Sequence, residues 1–379
     1  MKRFIVCWVS LLMVLAVGMH AEAQPPIKVG LITPLTGDVK TFGESIKNGF
    51  ELAVSEANAK GGILGRKIVP VITDDKNDPT EASNAANKLI SQDRVKLIVG
   101  SCTSKCTIPV SDICQSQQAV MVTPSATNPK VTVADGKRKS FAFRACFIDP
   151  FQGSVMAKFA ARTLKKKTAA VLYDVGNDYT KGLAEFFRDA FVKEGGKITG
   201  FESYSKDDVD FSALLTKVGA TKPDVLFLPD YYNKVGLIAK QARERGIKSV
   251  LLGGDGWDSP DLVKIAGAAV EGGYFSNHYS PEDPRPEVRN FIKKYRDRYG
   301  STPDALATLG YDATIILLNA IERAKGDDPQ KVRQALAQTK DLRVVSGRIT
   351  YDQDGNPIKS AAIIGIVNGQ QKYKTTINP

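Results

Sequence analysis

Side chains able to do acid–base or nucleophilic chemistry are sparse in this chain. Beyond position 23 there is one histidine, His278. A single imidazole removes most histidine-based zinc sites and leaves any Ser–His–Asp triad dependent on that residue. No G-x-S-x-G elbow, H-E-x-x-H helix or Walker A loop is present. Gly61-Gly62-Ile63-Leu64-Gly65 resembles a phosphate loop, but it follows a helical pattern and precedes a strand. That order is the reverse of a Rossmann unit, so the segment reads as a helix-terminating turn. Asp74-Asp75-Lys76-Asn77-Asp78 carries acids without the spacing and distal glutamate of an EF-hand loop, and a strand-to-helix loop with a cap accounts for it. Cys102, Cys106, Cys114 and Cys146 lack the C-x-x-C pairs of a metal cluster. In an exported chain they are buried thiols or supply one bridge out of three possible pairings. If 104–117 is one helix, Cys106 and Cys114 lie ~12 Å apart along it, too far to be bridged. This inventory disfavours an enzyme and implies no metal and no cofactor.

The elements that must position any site follow from the hydrophobic pattern. The chain has 379 residues, 42% hydrophobic and 25% charged, which suits two domains with a core each. Strand candidates are Ile27–Thr33, Ile68–Thr73, Leu97–Gly100, Val120–Thr123 and Phe141–Arg144. A second series runs Ala169–Tyr173, Ile198–Tyr204, Val225–Leu228 and Ser249–Gly253. Between them lie amphipathic helices. Phe42–Ala59 sets Ile46, Phe50, Ala53 and Ala57 on one stripe, and Asp78-Pro79-Thr80-Glu81 opens the next helix with a cap. Such alternation predicts parallel sheets with crossover helices on both faces, hence an α/β fold of two doubly wound lobes. Helical patterns follow at 286–299, 304–324 and 328–337. Two final strands, Gly347–Tyr351 and Ala361–Asn368, are expected to join through a turn at Asp354-Gly355-Asn356-Pro357.

The N-terminus reads as a secretory signal peptide over residues 1–23. Lys2 and Arg3 precede an apolar run, Ile5 to Val17, and Ala21-Glu22-Ala23 offers a cleavage site. The run is shorter than the ~20 residues a membrane span requires. Cys7 sits inside the run and not at its end, so it is not read as a lipid-attachment site. The expectation is export to the periplasm. Without residues 1–23 the chain keeps 50 basic and 40 acidic residues, a net charge of +10. The basic residues are dispersed, with short clusters at Lys137-Arg138-Lys139 and Lys165-Lys166-Lys167. No basic stripe with interleaved aromatics appears, which argues against a nucleic-acid partner.

Four segments carry a family resemblance: Gly30-Leu31-Ile32-Thr33-Pro34-Leu35-Thr36-Gly37, Glu56-Ala57-Asn58-Ala59-Lys60-Gly61-Gly62, Pro124-Ser125-Ala126-Thr127-Asn128-Pro129 and Tyr311-Asp312-Ala313. In order and spacing, from about Ile27 to the C-terminus, they resemble the periplasmic substrate-binding proteins of branched-chain amino-acid ABC transporters, the Leu/Ile/Val type. The resemblance implies a type I periplasmic binding protein fold, two flavodoxin-like lobes joined by three hinge strands near 145–148, 273–277 and 348–352. Lobe one would combine 24–145 with 276–349, and lobe two 148–273 with 352–379. It implies a monomer that takes an amino acid between its lobes and delivers it to a membrane permease. It also carries over binding positions. Ser104 matches a serine on the ligand carboxylate, where a helix N-terminus independently favours an anion. Thr127 matches a second carboxylate contact, with Ser125 and Ala126 offering backbone groups. Asp255 matches an acid paired with the ligand ammonium, Tyr179 and Tyr231 match pocket tyrosines of lobe two, and Phe42 matches a covering aromatic of lobe one. Trp257, His278 and Tyr279 are expected near the cleft. Some family members carry a disulfide at the positions of Asn77 and Thr103, which this chain cannot form.

Three other readings keep their place. The same fold could take an aromatic acid, an amide or a urea-like solute, although Asp255 opposes a simple anion because a buried carboxylate facing it would be costly. The chain could serve as a ligand sensor for a separate membrane receptor. An exported hydrolase built on His278 is the enzyme alternative.

Overall fold

The computed structural model describes residues 24–379, and the signal peptide expected at 1–23 lies outside the described residues. The first strands are β1 (Ile27–Thr33), β2 (Ile68–Asp74), β3 (Leu97–Val99) and β4 (Val120–Thr123), then a short hairpin of β5 (Val133–Ala134) and β6 (Lys137–Arg138), and β7 (Ala142–Arg144). Next come β8 (Thr168–Asp174), β9 (Lys197–Tyr204), β10 (Val225–Leu228), β11 (Val250–Gly253) and β12 (Tyr274–Asn277). The last four are β13 (Leu342–Val344), β14 (Gly347–Ile349), β15 (Ala361–Val367) and β16 (Gln370–Ile377). Helices in the first half are α1 (Lys40–Ala59), α2 (Pro79–Asn87), α3 (Ser104–Gln117), α4 (Asp149–Lys158), α5 (Asp178–Lys193) and α6 (Ser212–Ala220). Those in the second are α7 (Tyr232–Glu244), α8 (Pro260–Ala266), α9 (Pro286–Tyr299), α10 (Ala305–Arg323) and α11 (Pro329–Ala337).

The first sheet runs β2-β1-β3-β4-β7 with every pairing parallel. The second runs β16-β15-β12-β11-β10-β8-β9, and its β9-β8-β10-β11-β12 part is also parallel. Both parallel parts thus start on their second strand and step back to the first before moving outward. In each lobe a crevice opens where that order reverses, at the carboxyl ends of the strands. The expected helix stripe is real: Ile46, Phe50 and Ala53 are buried in α1, and Ala57 packs against the same core. Asp78 caps α2, its carboxylate accepting from the Thr80 and Glu81 N–H groups at 2.8 and 3.0 Å. Gly61-Gly62 ends α1 in left-handed conformations, as expected of a terminating turn.

The C-terminal pairing corrects the sequence expectation. β14 pairs with β13, not with β15, and β15 is antiparallel to both β12 and β16. The turn at 354–357 closes on itself instead, because Asp352 accepts from the Asp354 and Asn356 N–H groups. β16 was missed because its sequence, QQKYKTTI, is polar and its residues are not buried at an edge. The usable signal was Asn368-Gly369, where both residues take positive φ and form the tight link of a hairpin. Cys102, Cys106, Cys114 and Cys146 are all buried free thiols, which leaves no bridge among the described residues.

Helix α10 is apolar and long enough to cross a membrane, yet most of it is buried, packed against α1, β3 and β4. Its contact with α1 is backbone to backbone: a Cβ on Gly49 would stand 2.0 Å from the Ala307 carbonyl oxygen, and one on Gly310 2.5 Å from that of Ile46. Gly49→Ala is therefore expected to lower stability by about 1–3 kcal/mol, toward the upper end because the obstacle is rigid backbone. An unchanged urea midpoint would show that the two helices slide apart freely.

Candidate functional site

Every sequence-predicted site residue follows the carboxyl end of a parallel strand. Phe42 lies in α1 after β1, Ser104 opens α3 after β3, and Ser125, Ala126 and Thr127 follow β4 in the first lobe. Tyr179 lies in α5 after β8, Tyr231 precedes α7 after β10, and Asp255 follows β11 in the second. The two crevices face each other, and Phe42, Ser104, Ser125, Tyr179, Tyr231 and Asp255 line one cavity between them. Ala126 and Thr127 are buried behind that lining and do not reach the cavity. Sequence reading missed Cys102, Thr103, Gly256 and Leu306 in the wall. Cys102 and Thr103 sit beside Ser104 on the same loop, so proximity to the helix start was the available signal.

One end of the cavity is built for an anion. Thr103 is the N-cap of α3 but makes no side-chain cap, so the Ser104 and Lys105 N–H groups have no partner among the described residues, while the Cys106 N–H donates to the Thr103 carbonyl at 3.1 Å. The Thr103 hydroxyl instead donates to Asn77 Oδ1 at 2.8 Å, joining the loop after β3 to the loop after β2. Ser104 Oγ accepts from the Asn128 N–H at 3.2 Å, and Ser125 Oγ donates to the Cys102 carbonyl at 2.9 Å. Behind them, the fully buried Arg144 donates to the Ala126 and Asn128 carbonyls at 2.6 and 3.0 Å and to Thr132 Oγ1 at 3.1 Å, holding the 126–128 loop in place. The buried Thr127 hydroxyl has no hydrogen-bond partner.

The other end carries a carboxylate without a cation. Asp255 Oδ1 accepts from the Tyr179 hydroxyl at 2.9 Å, and Oδ2 meets His278 Nε2 at 2.9 Å. Burial pulls the imidazole below its ordinary value, with Asp255 only partly opposing, so a neutral ring donates Nε2–H and leaves Nδ1 unpartnered. The ring stacks on Phe147 at 3.6 Å. Burial likewise keeps Tyr179 in its hydroxyl form. Burial also pushes the nearby Asp149 carboxyl up to about 8, with Asp255 adding to the rise and Arg144 opposing it. The carboxylate of Asp255 thus meets two neutral donors at neutral pH, and among the described residues no lysine or arginine pairs with it. A buried carboxylate in that position is complementary to a cationic ligand group. Among the described residues His278 is hydrogen-bonded through its ring to Asp255 and to no serine, threonine or cysteine.

The walls between the two ends are apolar and aromatic. Tyr179 and Tyr231 stack at 5.2 Å, and Phe42 meets Tyr231 and Tyr232 edge-on at 5.8 and 5.1 Å. The cavity itself measures about 20 Å³. A benzene-sized guest needs roughly 150 Å³, so a larger solute enters only when the walls separate. Polar contacts hold them together at the rim. Thr41 Oγ1 donates to Asp261 Oδ2 at 2.8 Å, Tyr232 donates to Thr41 Oγ1 at 3.2 Å, and Asn128 Nδ2 donates to the Asp178 carbonyl at 2.8 Å.

A family model described as Periplasmic binding protein matches residues 26–371. The chain is 36% identical over 367 residues to Leu/Ile/Val-binding protein homolog 2 of Brucella abortus, covering 96% of each chain. Among solved structures it resembles the leucine binding protein LivK of Thermotoga maritima, at 38% identity and a TM-score of 0.88 over 93% of this chain and 99% of that one. It also resembles the branched-chain amino acid transporter substrate binding protein LivJ of Streptococcus pneumoniae in complex with isoleucine, at 31% identity and a TM-score of 0.87 over 93% and 100%.

Proposed function

The chain belongs to the periplasmic binding protein family, and on that footing we propose that it is the solute receptor of an ABC importer, capturing an apolar α-amino acid of the branched-chain kind between its lobes. The observation that carries this reading is the pairing of opposites across one cavity. An uncapped helix N-terminus with Ser104 and Ser125 suits a carboxylate, and Asp255, buried without a counter-ion, suits an ammonium. Phe42, Tyr231, Leu306 and Cys102 supply the surface an aliphatic side chain would cover. The relatives described as Leu/Ile/Val-binding or leucine binding, and the isoleucine complex, support the choice of side chain.

In this reading lobe one comprises 24–145 with 276–349 and lobe two 148–273 with 352–379, and β12 carries the middle crossing within the second sheet as far as Asn277. Ligand contacts divided between lobes stabilise the closed form by their differential affinity, which converts binding into closure. The receptor works as an exported monomer in the periplasm, handing its ligand to a membrane permease.

The deciding experiment is thermal unfolding of ligand-stripped protein against amino acids, aromatic acids, amides and urea. A ligand at ~1,000 times its dissociation constant adds ~4 kcal/mol, a shift of several degrees. Leucine, isoleucine or valine is expected to produce that shift. Stabilisation only by solutes that lack an amino group would overturn the proposal.

A further inference from the structure

His278 touches the cleft through one hydrogen bond and the lobe junction through its packing. It follows β12 directly, and its ring stacks on Phe147 at 3.6 Å. In the proposed division of the lobes, Phe147 belongs to the first crossing and His278 ends the middle one. Its Nε2 donates to Asp255 Oδ2 at 2.9 Å, and Tyr179 holds Oδ1 at the same distance. The Asp255 backbone is fixed from behind, because Gln152 Oε1 accepts from both the Asp255 N–H and the Ser276 hydroxyl at 2.8 Å. A carboxylate offers about four acceptor sites, so roughly two remain for a group in the cavity that Asp255 lines.

Two charged groups bear on the ring. Asp255 meets it directly, and Lys359 opposes a proton on it. Lys359 is buried beside the first crossing, donating to the Ala145 carbonyl at 3.0 Å and to Ser346 Oγ. Burial lowers its ammonium to about 8, so it keeps its charge on the acid side of neutrality. Around Asp255 stand Asp149, Asp258, Tyr179 and the thiols of Cys102 and Cys146, none of which can become a cation. Among the described residues, the imidazole is thus the one group hydrogen-bonded to the Asp255 carboxylate that can turn positive. Its Nδ1 is enclosed without a hydrogen-bond partner, so a proton there lacks an acceptor, and burial itself favours the neutral ring.

We propose that His278 is a positioning residue for ligand capture: neutral, it holds the Asp255 carboxylate toward the cavity, and protonated, it becomes the counter-ion of Asp255 and displaces an ammonium ligand. This rests on the reading of Asp255 as the ammonium's partner. A neutral imidazole leaves Asp255 with a negative charge that the ammonium cancels. An imidazolium cancels that charge first, and the incoming ammonium then meets a like charge. Binding therefore expels one proton wherever the free protein's ring is protonated. Affinity is level near neutrality and falls on acidification, toward a limit of about tenfold per pH unit below the ring's titration. Because burial depresses that titration, the fall begins on the acid side of the ordinary imidazole range. By linkage, bound ligand weakens proton binding to the ring by the same factor that the proton weakens ligand binding.

The test is calorimetry of leucine binding between about pH 4.5 and 7.5 in the parent, His278→Gln and His278→Phe. Glutamine keeps an N–H donor without an ionisable ring, and phenylalanine keeps a ring to stack on Phe147 without the donor. The parent is expected to lose about tenfold or more in affinity across the range and to release protons at its acid end, read as heats that vary with the buffer. His278→Gln is expected to flatten the profile. His278→Phe is expected to flatten it too and to bind about tenfold more weakly at neutral pH, from one lost hydrogen bond to a charged group. Proton NMR of the parent tests the same point without a variant: of the imidazoles of His20 and His278, one is expected to titrate at lower pH when leucine is bound. A flat parent profile, an acid loss of affinity that persists in His278→Gln, or imidazole titrations that leucine leaves in place overturns the proposal and spares the reading of the cleft. A parent that binds none of leucine, isoleucine and valine at neutral pH overturns that reading, and the proposal with it.

Discussion

Asp255→Ala is expected to weaken amino-acid binding by about a hundredfold or more in calorimetry, because losing one partner of a desolvated charge pair costs roughly 2–5 kcal/mol. The residue is 9% exposed, and its side chain sits between Tyr179 and His278, both neutral donors. A bound ammonium would supply the cation that the protein does not, and alanine would leave that ammonium buried against two hydrogen-bond donors. Folding responds far less than binding. The ligand-free protein carries a buried carboxylate with no cation, and the relief of removing it offsets the loss of an acceptor for Tyr179 and His278, so the unfolding temperature is expected to change little. Asp255→Asn separates charge from shape, since it keeps an acceptor for Tyr179 while losing the charge, and its affinity is expected near that of the alanine variant. Affinity retained within a few-fold in both variants would sink the assignment of Asp255 to the ammonium.

Arg144→Leu carries the second large effect, this time on the fold. The guanidinium is fully buried and serves three acceptors: the Ala126 and Asn128 carbonyls and Thr132 Oγ1. Its backbone carbonyl accepts from the Tyr351 hydroxyl at 3.0 Å, so the residue also ties the end of β7 to the C-terminal segment. Leucine would leave buried acceptors unpaired, at about 1–3 kcal/mol for each one that water cannot reach. A fall in unfolding temperature on the order of 10 °C is expected, from about 2–4 °C per kcal/mol in a protein of this size class. The loop that Arg144 holds also carries Ser125 at its start, so amino-acid affinity should fall with it. Arg144→Lys keeps the charge but not the planar fork, and is expected to recover only part of both losses. An unfolding temperature within about 2 °C of the parent's in the leucine variant would show that water or a loop shift replaces the guanidinium.

Much of the fold was legible because its strands are short apolar runs punctuated by turn residues. β1, β4 and β10 lie on the residues the pattern assigned, and α9 spans 286–299 as its period implies. The pattern failed where burial stopped supplying contrast. β16 is an exposed edge with polar residues on both faces, and β14 took β13 as its partner because the 354–357 turn closes through Asp352. Pairing between segments far apart in sequence leaves little local trace, since any apolar strand end can satisfy any other.

Residue types and order by themselves determined the two doubly wound lobes and the placement of Phe42, Ser104, Ser125, Tyr179, Tyr231 and Asp255 at strand ends. The physical reason is local: a parallel strand must end in a loop that starts a crossover helix, and such loops converge at the switch point. Tertiary structure alone decided the rest. It set Ala126 and Thr127 behind the cavity wall, put a neutral His278 against Asp255, and brought Asp258 of one lobe onto the helix that Asp304 of the other caps. Those outcomes depend on burial and on which charges face each other, and both are properties of the packed molecule that no stretch of sequence contains.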